Sequence, residues 1–383
     1  MVGGLGTRQS VRLIQVLRSP QAVFRCSASE LRAHGLSGSV AQSIASGCAY
    51  EDAVEQQQRL RAAAATLVPI SDPRYPPLLR EIFDPPLVLF ARGNLVLLDS
   101  LMLGVVGTRN PSPYGLAAAE KLSTELSRAG LTITSGLARG IDTAAHLATL
   151  EAGGRTAAVF GCGVDEIYPA ENRKLRDAIL AKGGLLLSEF PMGAPAYPQN
   201  FPIRNRIISG LSLGVLVVEG AQFSGSGITA RLAVDQGREL FAVPGNITSR
   251  QSWGPNMLIK QGAKLVQGPD DVLDELGVDA RQRLRLETSR QLEIKALDDS
   301  ETSPASPASD CQGSVGARLA SLGPNEGLAK AVLRKLRPDS AIQLDQILEA
   351  IEGSSSTEII AVLFELELMG LVRQMPGKRY LKV

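Results

Sequence analysis

Between residues 103 and 243 the chain alternates short apolar runs with stretches of helical length, and this beat restricts its fold more than any other feature. The runs lie at 103–106, 131–134, 156–160, 185–187, 213–218 and 239–243. Each is nearly continuous in apolar residues, as a strand covered on both faces must be, whereas a strand with one wet face alternates. Parallel strands cannot be joined by a tight turn and need a crossover, normally a helix. Residues 116–128 and 172–182 have the length and pattern for two such helices. The pattern predicts an α/β fold with a Rossmann-like, doubly wound, mostly parallel sheet. Ligands of such sheets sit outside the C-terminal ends of the strands, so the residues just after each run carry the functional information.

At 383 residues the chain exceeds one such core and predicts further domains. Residues 1–65 read as a small α-helical domain of the SAM or helix-hairpin-helix-like kind. Leu13, Ile14, Val16 and Leu17 open one helix, 53–65 is a helix-forming run, and 31–38 reads as a helix, a glycine turn at Gly35 and another helix. The core is expected at 66–286 and includes two more short strands, 67–70 and 87–91, around a proline-rich segment at 72–86. Residues 287–323 are too polar and proline-rich to bury a core and read as a flexible linker. The last part, 324–383, predicts three amphipathic helices at 326–337, 344–352 and 357–369, then a β-hairpin across Pro376 and Gly377: a winged helix. Its third helix carries Glu358, Glu365 and Glu367 and no Lys or Arg. That charge favours contact with protein, or weak contact with DNA, over firm phosphate binding.

Composition narrows the function classes. The formal charge is only +1, so any surface for nucleic acid must be a local cluster of cations. The four cysteines, Cys26, Cys48, Cys162 and Cys311, are widely separated, and only His34 and His146 add imidazoles. No metal site or disulfide framework follows from that spacing. No apolar run approaches the ~20 residues of a membrane span, and residues 1–10 lack the apolar stretch of a signal peptide. A cytoplasmic protein with reduced thiols and no membrane contact is expected.

The strand ends are rich in glycine, hydroxyls and arginine. The first strand runs into Gly107, Thr108 and Arg109, followed by Ser112, Tyr114 and Gly115; the second into Ser135, Gly136, Arg139, Gly140 and Asp142. The third runs into Gly161, Cys162, Gly163, Asp165, Tyr168, Pro169 and Asn172, and the fourth into Ser188 and Glu189, then Phe201, Pro202, Arg204, Asn205 and Arg206. The fifth gives Glu219, then Ser224, Gly225, Ser226, Gly227 and Thr229 at a helix start. Glycines let a backbone turn tightly and approach an anion, helix N-termini offer free N–H groups, and the arginine fork matches phosphate oxygens. Four arginines (Arg109, Arg139, Arg204 and Arg206) on successive strand ends predict a phosphate-lined crevice, although each could instead pair with a carboxylate such as Glu189 or Glu219. Phe201, read as a loop residue, offers a face for a base or a buried loop anchor. His146 has no nucleophile partner in the sequence and reads as a packed, hydrogen-bonded residue. Asp142 and Asp165 read as caps or loop-closing carboxylates, and Cys162 as a small residue in a tight turn. There is no dinucleotide fingerprint and no P-loop.

Taken in order, these motifs resemble the DprA/Smf family over roughly residues 67–276. Gly107, Thr108 and Arg109 with Tyr114 and Gly115 look like its first signature, and Ser135, Gly136, Gly140 and Asp142 like its second. Residues 161–172, Ser188 with Glu189, 201–206, 224–229, and 237–239 with 243–245 look like the rest. The resemblance implies a single-stranded DNA-binding recombination mediator of natural transformation. Such a protein protects incoming DNA, displaces single-strand binding protein and loads RecA. It is a homodimer through the Rossmann-like domain, without catalytic activity, cofactor or metal. It implies that Arg109 contacts DNA phosphate, with Arg204 and Arg206 in the same pocket and Phe201 beside it. The expected DNA site comprises Gly107, Arg109, Ser135, Gly136, Arg139, Phe201, Arg204, Asn205, Arg206, Ser224, Gly225, Ser226 and Thr229. Two positions depart from the pattern. Pro198 stands where some members carry a lysine, and Gly227 replaces a residue that is usually apolar.

Two other readings compete. Phosphoribohydrolases on related Rossmann-like folds cleave nucleoside monophosphates and rely on a Pro-Gly-Gly-x-Gly-Thr loop, whereas residues 224–229 read Ser-Gly-Ser-Gly-Ile-Thr. The other is a scaffold that senses a nucleotide and reports it to a partner. Fold alone does not choose among them; motif order favours the DNA binder.

Overall fold

The computed structural model describes residues 2–222, 224–284, 286, 326–336, 342–349, 372–375 and 379–382, together with Ile359, Val362, Leu363 and Leu366. The chain divides into two compact units, Met1–Asp298 and Asp299–Val383.

The first unit opens with five helices: α1 (Thr7–Leu17), α2 (Pro20–Arg25), α3 (Ala28–Ala33), α4 (Gly38–Ala45) and α5 (Tyr50–Ala62). Leu13, Val23, Leu31, Val40, Ala41 and Ile44 form the common core of α1 to α4, while Leu60 of α5 packs on the separate cluster of Phe160 and Leu186. Ser27 starts α3 with a reciprocal capping box, its Oγ accepting from the Glu30 N–H while Glu30 accepts from the Ser27 N–H at 2.7 Å. Gly35 makes the turn into α4 at φ +88°, a conformation suited to glycine. The expected helix over 53–65 begins earlier and stops at Ala62. Ala64 takes a positive φ of 49°, and the chain enters a strand at Ala65.

The rest of this unit is built on β1 (Ala65–Pro69), α6 (Pro77–Arg80), β2 (Val88–Gly93), β3 (Met102–Val106), α7 (Pro113–Arg128) and β4 (Thr132–Ser135). It continues through α8 (Ile141–Glu151), β5 (Thr156–Phe160), α9 (Arg173–Ala181), β6 (Leu185–Ser188), α10 (Asn200–Leu211), β7 (Ser212–Val217), α11 (Gly225–Asp235), β8 (Glu239–Ala242), α12 (Trp253–Lys260), β9 (Lys264–Leu265) and α13 (Pro269–Leu273). The described strands form one sheet in the order β1-β2-β6-β5-β4-β3-β7-β8-β9. From β6 to β9 neighbours run parallel, whereas β1–β2 and β2–β6 are antiparallel. The chain steps outward from β3 to β6, then crosses back through α10 to place β7 on the other side of β3. This reversal creates the switch point of a doubly wound sheet.

Alternate side chains of each strand feed opposite layers. Met102 and Val106 of β3, with Val215 and Val217 of β7, pack against Ile207, Ile208, Ala230 and Ala233 of α10 and α11. Leu103, Val105 and Leu216 face Ala119, Leu122 and Leu126 of α7 and Ala144 and Ala145 of α8. Burial on both faces is the cause of the continuous apolar runs in the sequence.

In the second unit α14 (Glu326–Lys335), β10 (Ile342–Gln343), α15 (Leu344–Glu349), β11 (Val372–Met375) and β12 (Arg379–Lys382) belong to a winged helix. Its sheet has the order β10-β12-β11, so the expected hairpin gains a third strand. Ala329, Val332, Leu333, Ile347, Ile359, Val362, Leu363 and Leu366 are buried in its core. The expected linker 287–323 lies outside the described residues, and so do Glu358, Glu365 and Glu367 of the expected third helix.

Candidate functional site

The loops after β3 and β4 hold each other in place. The Ile141 N–H donates to the Thr108 carbonyl at 3.2 Å. Gly140 sits at φ +77°, and a Cβ there would lie 2.4 Å from that same carbonyl oxygen; a Cβ on Gly107 would lie 2.5 Å from the Ile141 side chain. Only glycine permits this contact from both sides. Asp142, in the first turn of α8, accepts hydrogen bonds from the Gly136 and Ala138 N–H groups at 3.0 and 3.2 Å. Asn172, in the segment after the neighbouring β5, ties the same loop down by donating to the Leu137 carbonyl at 2.8 Å. Asp142 is thus a loop-closing carboxylate, and Asp165 is another, accepting from the Gly193 N–H at 2.8 Å.

A third clamp joins β7 to α7. Glu219, buried just beyond β7, accepts from the Ser112 N–H at 2.9 Å and from its hydroxyl at 2.5 Å. Ser112 in turn caps α7 at the Gly115 N–H, and a Cβ on Gly115 would strike the Glu219 carboxylate. Tyr114 closes the outer side with a hydrogen bond from its hydroxyl to the Pro244 carbonyl at 2.7 Å. Glu219 therefore serves the α7 cap and pairs with none of the four arginines.

Between these loops lies a cavity of about 570 Å³, lined by Gly107, Thr108, Arg109, Asp142, Tyr168, Pro198, Phe201, Arg204, Asn205, Ser224, Gly225, Ser226 and Thr229, among others. Arg109 and the turn that starts α11 face this one cavity. A small cleft lined by Gly136, Arg139 and Pro169 adjoins it and shares Arg109, Tyr168, Phe201 and Arg204.

Two residues of the expected site lie elsewhere, and a third already has a partner. Ser135 is fully buried, its hydroxyl donating to the Val105 carbonyl at 2.6 Å, so it braces β4 against β3. Arg206 lies off the cavity, where it pairs with Glu189 and with Asp84 at 3.2 Å. Arg139 reaches the small cleft, but its guanidinium pairs with Glu171 at 2.5 Å, both side chains more than half exposed. One crevice lined by all four arginines is therefore corrected to a cavity lined by Arg109 and Arg204. The reason lies in α10. Phe201 and Pro202 belong to its first turn, where proline is tolerated, and not to a loop. On a helix, residues two apart point to different sides, so Arg204 and Arg206 cannot share a pocket.

The electrostatics of the cavity are set by burial. Arg204 is 4% exposed; its Nη1 donates to the Val159 carbonyl at 2.5 Å, and a Cβ on Gly136 would lie 2.0 Å from that nitrogen. Burial pulls its guanidinium down to about 10, Asp142 and Cys162 counteract this, and Arg109 pulls it further down. The Asp142 carboxyl is pushed up by burial and held back chiefly by Arg204. Arg204 thus remains a cation whose Nε is buried without a hydrogen-bond partner among the described residues. Arg109 is exposed and makes no ion pair among the described residues. The guanidinium carbons of Arg109 and Arg204 stand 5.6 and 5.9 Å from the centre of the Phe201 ring. With one carboxylate, Asp142, facing two cations, the cavity carries an excess of positive charge.

At its other wall α11 begins at Ser224, which has extended backbone and no capping bond from its side chain. Its hydroxyl instead meets that of Ser226 at 2.8 Å. The first N–H groups of α11 are left to the cavity, where the helix dipole favours an anion. His146 is fully buried against Thr156, its Nδ1 2.6 Å from the threonine hydroxyl, and burial holds its imidazole down at about 3. It is packed and neutral, away from the cavity. The buried Cys162 thiol is pushed up to about 11 by burial.

Sequence reasoning missed Tyr168 as a lining residue. Its signal was Tyr168 and Pro169 closing the loop after β5, which brings the ring beside Phe201.

Residues 66–277 match the family described as DNA recombination-mediator protein A, and residues 301–378 match the DprA winged helix domain. The chain is 48% identical over 217 residues to the DNA processing protein DprA of Bacillus subtilis, covering 56% of this chain and 73% of that protein. It is 42% identical over 312 residues to the protein Smf of Escherichia coli, covering 81% and 76% of the two chains. The crystal structure of DNA processing protein A from Streptococcus pneumoniae superposes with a TM-score of 0.65 at 37% identity, over 72% of this chain and 95% of the other. DNA processing protein A from Helicobacter pylori, whose structure was described for its single-stranded DNA binding mode, superposes with a TM-score of 0.50 at 30% identity, over 56% and 97%.

Proposed function

We propose that this chain, which belongs to the DprA/Smf family of DNA recombination-mediator proteins, binds single-stranded DNA in the cavity between Arg109, Arg204, Phe201 and the start of α11. The observation that carries the reading is the uncompensated positive charge around Phe201, at the strand ends where this fold places its ligands. One DNA phosphate sits between Arg109 and the N–H groups of Gly225 and Ser226, with Thr229, Asn205 and Gly107 around it. Arg204 supplies charge from beneath rather than a direct contact. The DNA-binding mode named for the Helicobacter pylori relative supports this assignment.

As a mediator the protein protects incoming DNA in transformation, displaces single-strand binding protein and loads RecA, acting as a cytoplasmic homodimer and without catalysing a reaction. The cavity supports a binder over a nucleotide-cleaving enzyme. Its one carboxylate, Asp142, is engaged by two backbone N–H groups and faces Arg204, which leaves it no freedom to act as a base.

The test is a titration of the full chain with labelled single-stranded and duplex oligonucleotides of equal length. A strand with splayed bases can enter a cavity between loops, and a rigid duplex cannot. Single strands should bind at least tenfold more tightly; equal affinity at low salt would contradict the assignment.

A further inference from the structure

The cavity and the small cleft beside it share a wall made of two aromatic rings. Tyr168 and Phe201 stand 5.2 Å apart, tilted by 41°. The two rings are not equally available. Phe201 is half-buried, its ring lies against Gly161, where a Cβ would come within 3.0 Å, and both Arg109 and Arg204 already stand over it. Tyr168 is 43% exposed and touches both spaces.

Two other tyrosines of the core show what a structural role looks like. Tyr75 is fully buried with its hydroxyl bonded to the Pro86 carbonyl at 2.7 Å, and Tyr114 closes a loop through its bond to Pro244. The Tyr168 hydroxyl makes no such bond among the described residues. Beyond closing the loop after β5, Tyr168 presents a partly exposed ring, with a hydroxyl unengaged among the described residues, at the rim of a cationic cavity. Its flat face beside a phosphate-binding group is what a nucleobase requires.

We infer that Tyr168 is the stacking face for one base of the bound strand, and that Phe201 acts as the rigid backing that holds Tyr168 and Arg109 in register. This rests on the single-stranded DNA reading and adds to it the residue that contacts a base rather than the backbone. Stacking on a ring is tolerant of sequence, since every base has a π-face.

The experiment compares the full chain with Tyr168→Ala, Tyr168→Leu and Tyr168→Phe, titrated with an oligothymidylate and with a strand of the same length made wholly of abasic sites. On oligothymidylate, Tyr168→Ala and Tyr168→Leu should weaken binding about tenfold or more, and Tyr168→Phe should stay within about twofold of wild type. On the abasic strand all four proteins should bind alike, and the slope of log K against log salt should be the same for all, because no charge has been removed. Wild-type affinity in Tyr168→Leu would overturn the inference and leave the DNA reading intact. A deficit that persists on the abasic strand would also overturn it, because the ring would then act through the shape of the site. Absence of binding by wild type to either strand would overturn both.

Discussion

At the residue scale the site depends on groups that cannot be enlarged or recharged. Gly136 is the clearest case, because its hydrogen occupies the space beside the buried Arg204 guanidinium. Gly136→Ala should cost about 1–3 kcal/mol of stability, as overpacking does, read from urea denaturation midpoints, and an unchanged midpoint would mean that Arg204 can withdraw freely. His146 makes a second prediction, this one of pH dependence. Its imidazole is held at about 3 against an ordinary 6.5, mainly by burial and further by Arg204. Below pH 6.5 the unfolded chain therefore takes up a proton that the folded chain refuses, so stability is fully present above that pH and declines on acidification towards pH 3. Asp142, whose carboxyl is held up by burial, works in the opposite direction, so the comparison must be between wild type and His146→Gln. Between pH 7 and pH 5 wild type should lose about 2 kcal/mol more than the variant; parallel losses would place the imidazole in contact with water. Asp142 could be read from the sequence because it closes its own loop, and His146 because no nucleophile partner accompanies it. Asp165 also reads there as a loop-closing carboxylate, but its partner, the Gly193 N–H, lies far along the chain. The sequence offered Glu189 as a partner for any of the four arginines; that Arg206 takes it, together with Asp84, was not legible, since it depends on which side of α10 faces the sheet.

At the scale of elements, the site is a meeting of helix starts and strand ends, and the Glu219 clamp joins two of them. Glu219→Ala removes both acceptors from Ser112 and leaves that end of α7 without its support. A loss of about 1–3 kcal/mol is expected, the cost of leaving buried donors without partners. Calorimetry would read it, and an unchanged melting temperature would show that the cap survives alone. The parallel strands β3 to β8 were legible in the sequence because burial on both faces makes apolar runs that stand out from the helices between them. The two-residue strands β9 and β10 were not, since a segment that short has no period. The antiparallel pairing of β1 with β2 and of β2 with β6 was equally hidden, because direction is decided by the path of the chain and not by composition. The helical state of Phe201 and Pro202 was masked by proline, whose place in a first helical turn resembles a loop until the helix is seen.

At the scale of the whole molecule, a net charge of +1 gives no general attraction for a polyanion. Affinity for DNA must then come from the few cations that the fold concentrates, and among the described residues Arg109 is the exposed cation of the cavity that no carboxylate engages. The winged helix follows the core in the same chain, as the match to the DprA winged helix domain shows, while the cavity lies wholly within the first unit. The most direct test titrates wild type and Arg109→Ala with a labelled single strand at several salt concentrations. The account predicts binding by the variant weaker by about 1.5–3 kcal/mol, the range for a hydrogen bond to a charged group. It also predicts a log–log salt slope shallower by about 0.7, the share of one phosphate, with the melting temperature unchanged. Superimposable titrations of the two proteins at every salt concentration would contradict it.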